Sequence, residues 1–191
     1  MPLRSRLVAW LLAAAVTAPI LSAAGAESSK KRNAAILARV LSYELTLDDR
    51  AGKSVGVAVV YKRGDPASER NASDWFDALN ELSSVRIKDK PFFVLKVAYV
   101  PSDLVAAIDA QGVDVLLVAD GLNAEVDAVA RLARSKHVLS ASNDPAHVER
   151  DLTVCVAEQD DKLKVVINLQ SAQREGIRFS SNLLKVAKLI R

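Results

Sequence analysis

The feature that most narrows the fold of this chain is alternation. Three short runs, Val55–Tyr61, Phe92–Val100 and Val113–Ala119, are apolar almost throughout and are separated by stretches with helical spacing. Such runs have no polar face to leave in water, which is the pattern of strands covered on both sides. Between the first two, residues 67–84 place Trp75, Phe76, Leu79 and Leu82 on one helical face. After Pro101, Leu104, Val105 and Ile108 repeat the pattern, with Ser102 expected as N-cap and Gly112 as the C′ stop. Asn123–Ala133 predicts a further helix with Val126, Val129 and Ala130 turned inward, and His137–Ser140 a fourth, short strand. Parallel neighbours need long crossovers, and the connections are right-handed. The expectation is an α/β fold, a three-layer α/β/α sandwich with a mostly parallel sheet.

The last third closes that unit. Leu152–Ala157 and Leu163–Leu169 flank the polar stretch 158–162 and predict a C-terminal antiparallel hairpin at the sheet edge, followed by two short helices. Asn168 is placed to cap the first helix and Gly176 to end it. Ser180 is placed to cap the second, and Phe179 to anchor the connection in the core.

At the other end, Arg4 and Arg6 precede an apolar stretch from Leu7 to Leu21, and Ala24-Gly25-Ala26 offers small residues at the two positions a signal peptidase reads. The expectation is an export signal over 1–26, cleaved after Ala26, and a single periplasmic domain over 27–191. Lys31–Leu47 then predicts an amphipathic helix. Its apolar residues Ile36, Val40 and Leu41 are candidates for the sheet core or for a partner or dimer interface.

Composition limits the partners. The chain carries 26 basic and 23 acidic residues, a net charge of +3, and loss of Arg4 and Arg6 lowers it to +1. Charges of both signs are interspersed and no basic cluster is interleaved with aromatics, so nucleic acid is not expected. The one cysteine, Cys155, excludes an internal disulfide and lies in the apolar run Leu152–Ala157, where a buried, inert thiol is expected.

No motif demands catalysis. His137 and His147 are too few for a metal centre and are expected at the surface or a strand edge, and no hydrolase signature is present. The expectation is a binding protein without enzymatic activity or cofactor. In an open α/β sheet, ligands sit outside the C-terminal ends of the strands. Tyr61, Ser68, Tyr99, Asp120 and Ser142 fall there and are the candidate ligand-binding residues, with two tyrosine faces for stacking and Asp120 as a charged acceptor. Ser68 also suits a plain N-cap, and Ser73 is placed to cap the helix carrying Trp75.

The segment Ile167-Asn-Leu-x-x-Ala-x-x-x-Gly-Ile-x-Phe-Ser-Ser-x-Leu-Leu-x-x-Ala resembles the C-terminal signature of YfiR-like periplasmic proteins. The order of elements is similar over residues 35–191. The resemblance implies a small periplasmic α/β regulator, often dimeric. Its partner would be the periplasmic part of an inner-membrane diguanylate cyclase or sensor kinase, held inactive by protein–protein contact. Members commonly carry a Cys-His pair opening the third core strand. Here that place reads Val113-Asp114-Val115, so the resemblance does not extend to redox control by disulfides. A weaker likeness links Tyr61–Ser68, after its apolar strand, to the first strand–turn of ABC-type substrate-binding proteins. It implies a single-lobe solute-binding module as the alternative.

Overall fold

The computed structural model describes residues 21–159 and 162–191. The expected export signal falls mostly on residues 1–20, and the tip of the hairpin turn on 160–161, outside the described residues. Helix α1 (Leu21–Ser42) is followed by the single turn α2 (Leu47–Arg50). Strands β1 (Val55–Tyr61), β2 (Phe92–Ala98), β3 (Val113–Val118) and β4 (Leu139–Ser142) alternate with helices α3 (Pro66–Asn80), α4 (Pro101–Gln111) and α5 (Val126–Lys136). Helix α6 (Pro145–Glu149) leads into β5 (Val154–Gln159) and β6 (Lys162–Asn168). The chain closes with α7 (Leu169–Glu175), α8 (Ser181–Leu184) and β7 (Lys188–Ile190).

Seven strands form one sheet in the order β2-β1-β3-β4-β5-β6-β7. The first five are parallel, β6 runs antiparallel to β5, and β7 runs parallel to β6. The expected hairpin is present. It is not the sheet edge, because β7 lies beyond β6, a strand too short for periodicity to reveal. One apolar cluster packs α1, α3 and the α7–α8 connection on one face, around Trp75, Leu37, Leu41 and Phe179. The other packs α4, α5 and α6 around Leu104, Val126 and Val148. The fully apolar strands therefore have cover on both sides, and the three-layer α/β/α sandwich holds.

Local chemistry sets several boundaries. Gly112 and Gly176 take the left-handed conformation at the ends of α4 and α7 (φ 71° and 77°). Asn168 accepts bonds from the amides of Gln170 and Ser171, and Ser180 accepts one from Leu183. Three capping expectations fail. Pro101 is already the first helical residue of α4, with Val100 at the N-cap and no side-chain cap, so Ser102 lies inside the helix. Asp65 caps α3, and Ser68 spends its hydroxyl on the amide of Lys62. Ser73 lies in mid-helix, bonded to the carbonyl of Glu69.

Helix α1 ends at Ser42, earlier than its spacing suggests. Glu44 is then pulled into a bridge with Phe179, and its buried carboxylate takes Arg50 Nη2 at 2.5 Å and Thr46 Oγ1 at 2.6 Å. Arg50 also donates to the carbonyl of Asp114 (2.8 Å), and Asp114 Oδ2 accepts the amide of Gly56 (3.0 Å). This network ties the chain after α1 to the N-terminal ends of β1 and β3.

Candidate functional site

Strand order reverses at β1, which has β2 on one side and β3 on the other. The loops leaving β1 and β3 diverge there to opposite faces, which is where an open α/β sheet offers a crevice. In this chain those loops close on each other. Asn71 Nδ2 donates to Asp120 Oδ2 at 2.5 Å, and the amide of Asp120 returns a bond to Asn71 Oδ1. Lys62 Nζ stands 3.3 Å from Glu125 Oε1. Gly121, at φ 87°, packs so tightly that a Cβ there would lie 3.0 Å from Asp65 Oδ2 and 3.1 Å from Ser68 Cβ.

Ser68 and the Asp120–Gly121 loop are thus brought together. Ser68 is fully buried and Asp120 is exposed. Tyr61 and Tyr99 are half-buried and joined by the bond from the Tyr99 amide to the Tyr61 carbonyl, but their side chains pack on opposite faces of the sheet and do not form one stacking surface. Ser142 lies two strands away and takes part in different chemistry. Its Oγ is 2.8 Å from His147 Nδ1, and His147 Nε2 is 2.6 Å from Asn123 Oδ1. Because Asn123 Oδ1 can only accept, Nε2 carries the proton and Nδ1 accepts the Ser142 hydroxyl. The Ser142 oxygen in turn accepts the amide of Asp144 (3.0 Å).

His147 is therefore no surface residue. It is 2% exposed. Burial pushes its pKa below the usual imidazole value, as does Arg150, against the pull of Asp144 and Asp120. The serine–imidazole–amide arrangement has the partners of a hydrolytic triad, but Ser142 is sealed from solvent at 1% exposure and its hydroxyl is satisfied twice. It binds β4 to α6 and to the loop after β3. Sequence reasoning missed it because Asn123 and His147 are 24 residues apart and meet only when β3 and β4 pair. Among the described residues, no group of His, Cys, Asp and Glu is arranged to hold a metal ion. Cys155 is buried, and its thiol pKa is pushed up to about 12, mainly by burial.

A different surface carries the apolar exposure. Among the described residues, the large hydrophobic side chains left exposed are Leu45 (51%), Val85 (40%) and Val186 (80%). Val186 and Val85 line cavities along α1 that share Arg39, and Leu45, just after α1, lines one against α7 and the α7–α8 connection. Val186 lines one of about 320 Å³ with Ile36, Arg39, Val40, Tyr43 and Leu183. Leu45 lines one of about 470 Å³ with Ile177, Arg178 and Leu184. Val85 lines a third of about 210 Å³ with Ala35, Ala38 and Leu82, and Arg39 stands between it and the first. Of the interface candidates on α1, Ile36 is half-exposed and lines the first cavity. Val40 and Leu41 are 2% and 1% exposed and pack into the domain's own core, with Val40 also forming part of the cavity floor. Among the described residues, no helix is long and apolar enough to cross a membrane.

The family profile described as YfiR/HmsC-like matches residues 30–188. No curated protein matches the chain. Among solved structures, it is similar to a conserved domain protein from Vibrio cholerae O1 biovar El Tor (15% identity, TM-score 0.59), covering 85% of this chain and 60% of that one. It is similar to the ABC domain in complex with L-Trp from Streptococcus pneumonia (15% identity, TM-score 0.53, 79% and 60% covered). It is also similar to CD0873, a substrate-binding protein with adhesive properties from Clostridium difficile (16% identity, TM-score 0.55, 76% and 57% covered). At these identities the likeness is one of fold, and the chain spans about three fifths of each of these structures.

Proposed function

This chain belongs to the YfiR/HmsC-like family, and from that premise we propose that it is a periplasmic regulatory binding protein. It acts by docking on the periplasmic part of an inner-membrane signalling protein, a diguanylate cyclase in the first instance, and favouring that protein's inactive state. The observation that carries this reading is the apolar exposure around α1 and the segment after it. Val85 and Val186 rim cavities along α1 that share Arg39, and Leu45 rims a third beside the α7–α8 connection. Clustered apolar exposure around cavities marks an interaction surface, whereas scattered single residues do not. Regulation further requires that the domain bind one state of its partner more tightly than the other. Substituting Ile36→Asp and Val186→Glu together tests it. Both positions lie at the cavity rim, and the expected result is loss of the co-purifying membrane protein with a rise in cyclic di-GMP. Unchanged capture and unchanged cyclic di-GMP in a folded double variant refute the docking surface.

A second reading has its own support. Two of the similar folds are described as an L-Trp complex and a substrate-binding protein, which favours a solute-binding module using the C-terminal strand ends. It predicts saturable binding of a small solute, lost in Tyr61→Ala and Asp120→Ala variants that remain folded.

A further inference from the structure

We propose that the cavity between α1, β6 and α8 binds a small single-chain aliphatic carboxylate, with Arg39 holding the carboxylate and the chain lying under Val186. The cavity measures about 320 Å³, within the range of small-molecule sites. Helix α1 supplies Ile36 and Val40 to its wall, β6 supplies Val165, and α8 with the residues after it supplies Leu183 and Val186. Three separate elements therefore converge on it. Val186 is 80% exposed at its mouth, and an aliphatic side chain this open is shielded from water once the cavity is filled.

The chemistry of the wall selects the head group. Arg32, Arg134, Arg150 and Arg174 each meet a carboxylate of this chain. The Arg39 guanidinium makes no hydrogen bond or ion pair with the described residues, and neither do the side chains of Tyr43 and Asn182, which line the same cavity. No aspartate or glutamate lines this cavity or the smaller one that Arg39 shares with Val85. An unpaired guanidinium over an apolar wall, with no acid opposing it, fits an anion with an apolar body. One guanidinium offers two parallel donors to one carboxylate, whereas a doubly charged phosphate is better met by several cations.

The wall also selects the body. Apart from Tyr43 the apolar lining is aliphatic, so there is no pair of aromatic faces to sandwich a planar ring. Ile36 and Val40 lie one turn apart on α1, and Tyr43 continues the stripe just past its end. Arg39 stands three residues after Ile36 and four before Tyr43, so it adjoins both. An unbranched chain can follow that stripe with its anionic end at Arg39. The site shares Ile36 and Val186 with the docking surface proposed above, but it needs no partner, so either reading can fail alone.

The test is calorimetric titration of the purified protein, stripped of lipid, with decanoate below its micelle concentration and with 1-decanol as the uncharged match. The expected result is saturable one-to-one binding, with decanoate preferred at least about fivefold. Arg39→Gln should erase that preference while leaving 1-decanol binding unchanged. Val165→Phe fills the cavity and should weaken both ligands at least about tenfold. The proposal is overturned if the wild type binds no decanoate saturably, or if Arg39→Gln keeps the full preference for it. It is equally overturned if folded Val165→Phe binds as the wild type does. Retention on phosphatidylglycerol vesicles without binding of free decanoate overturns it in favour of a membrane surface. Should Val165→Phe not fold, Arg39→Gln, at an exposed position, decides alone.

Discussion

Ser142 on β4 and His147 on α6 share a buried hydrogen bond of 2.8 Å, Oγ to Nδ1, and Asn123 closes the far side of the ring at 2.6 Å. All of His147's hydrogen-bonding capacity is used in the neutral form. A proton on Nδ1 would have to point at an oxygen that already accepts the Asp144 amide.

His147→Ala should therefore cost about 2–3 kcal/mol, because Ser142 and Asn123 lose a partner in a site with little access to water. Urea denaturation measures it. The pH dependence has a definite sign. The folded pKa lies below the unfolded one, so this contribution is full above about 6.5 and is lost as pH falls through the folded value. The difference between wild type and His147→Ala should shrink as the pH is lowered below 6.5.

Glu175 behaves in the opposite sense. Its carboxylate is fully buried, takes Ser140 Oγ at 2.5 Å and Thr153 Oγ1 at 2.6 Å, and accepts the Ser140 amide. Burial is the largest influence and raises its pKa from 4.5 to about 7, outweighing those bonds and Arg50. The folded state thus prefers the protonated form, and its advantage is complete below pH 4.5 and lost as pH rises through 7. Glu175→Gln should abolish that slope. The stability gap between the variants should move by roughly 3 kcal/mol from pH 4.5 to 7.5, and equal slopes in the two proteins sink the idea.

Gly56 in β1 has no room for a side chain. A Cβ there would lie 2.4 Å from the Gly112 carbonyl oxygen and 2.9 Å from Val113 Cα, both backbone atoms. Gly56→Ala should force β1 and β3 apart at a point where the ladder already shifts register, at a cost of about 2–3 kcal/mol in chemical denaturation.

Arg50→Met should be costlier than its partial exposure suggests. Its guanidinium serves the fully buried Glu44 and lies 3.7 Å from Asp114 Oδ1, and its removal strands Glu44 without a counter-charge. A loss of about 3 kcal/mol is expected. The double variant Arg50→Met/Glu44→Gln should recover part of it, which a thermodynamic cycle reads directly.

Cys155 should not react with a thiol reagent in the native protein and should react stoichiometrically in denaturant. Burial keeps the thiol protonated across the physiological range.

What the sequence determined by itself was everything that depends on local pattern. Apolar runs at strand length predicted β1, β2 and β3, because residues covered on both faces cannot be polar. Gly112, Asn168, Gly176 and Ser180 marked helix ends because the chemistry of a cap is contained in its own turn. Tertiary structure alone decided the rest. Three-residue β7 is a strand only because β6 is beside it, and four-residue α2 is anchored by Arg50 reaching Glu44 and Asp114. His147 looked like a surface histidine until β3 and β4 brought Asn123 and Ser142 to its two nitrogens. The apolar positions of α1 divided in the same way. Periodicity placed Ile36, Val40 and Leu41 on one face, and only packing against the sheet and α8 left Ile36 at a cavity rim while burying the other two. Spacing along a chain specifies which side chains share a face. Which of them remain in contact with water depends on neighbours far away in sequence.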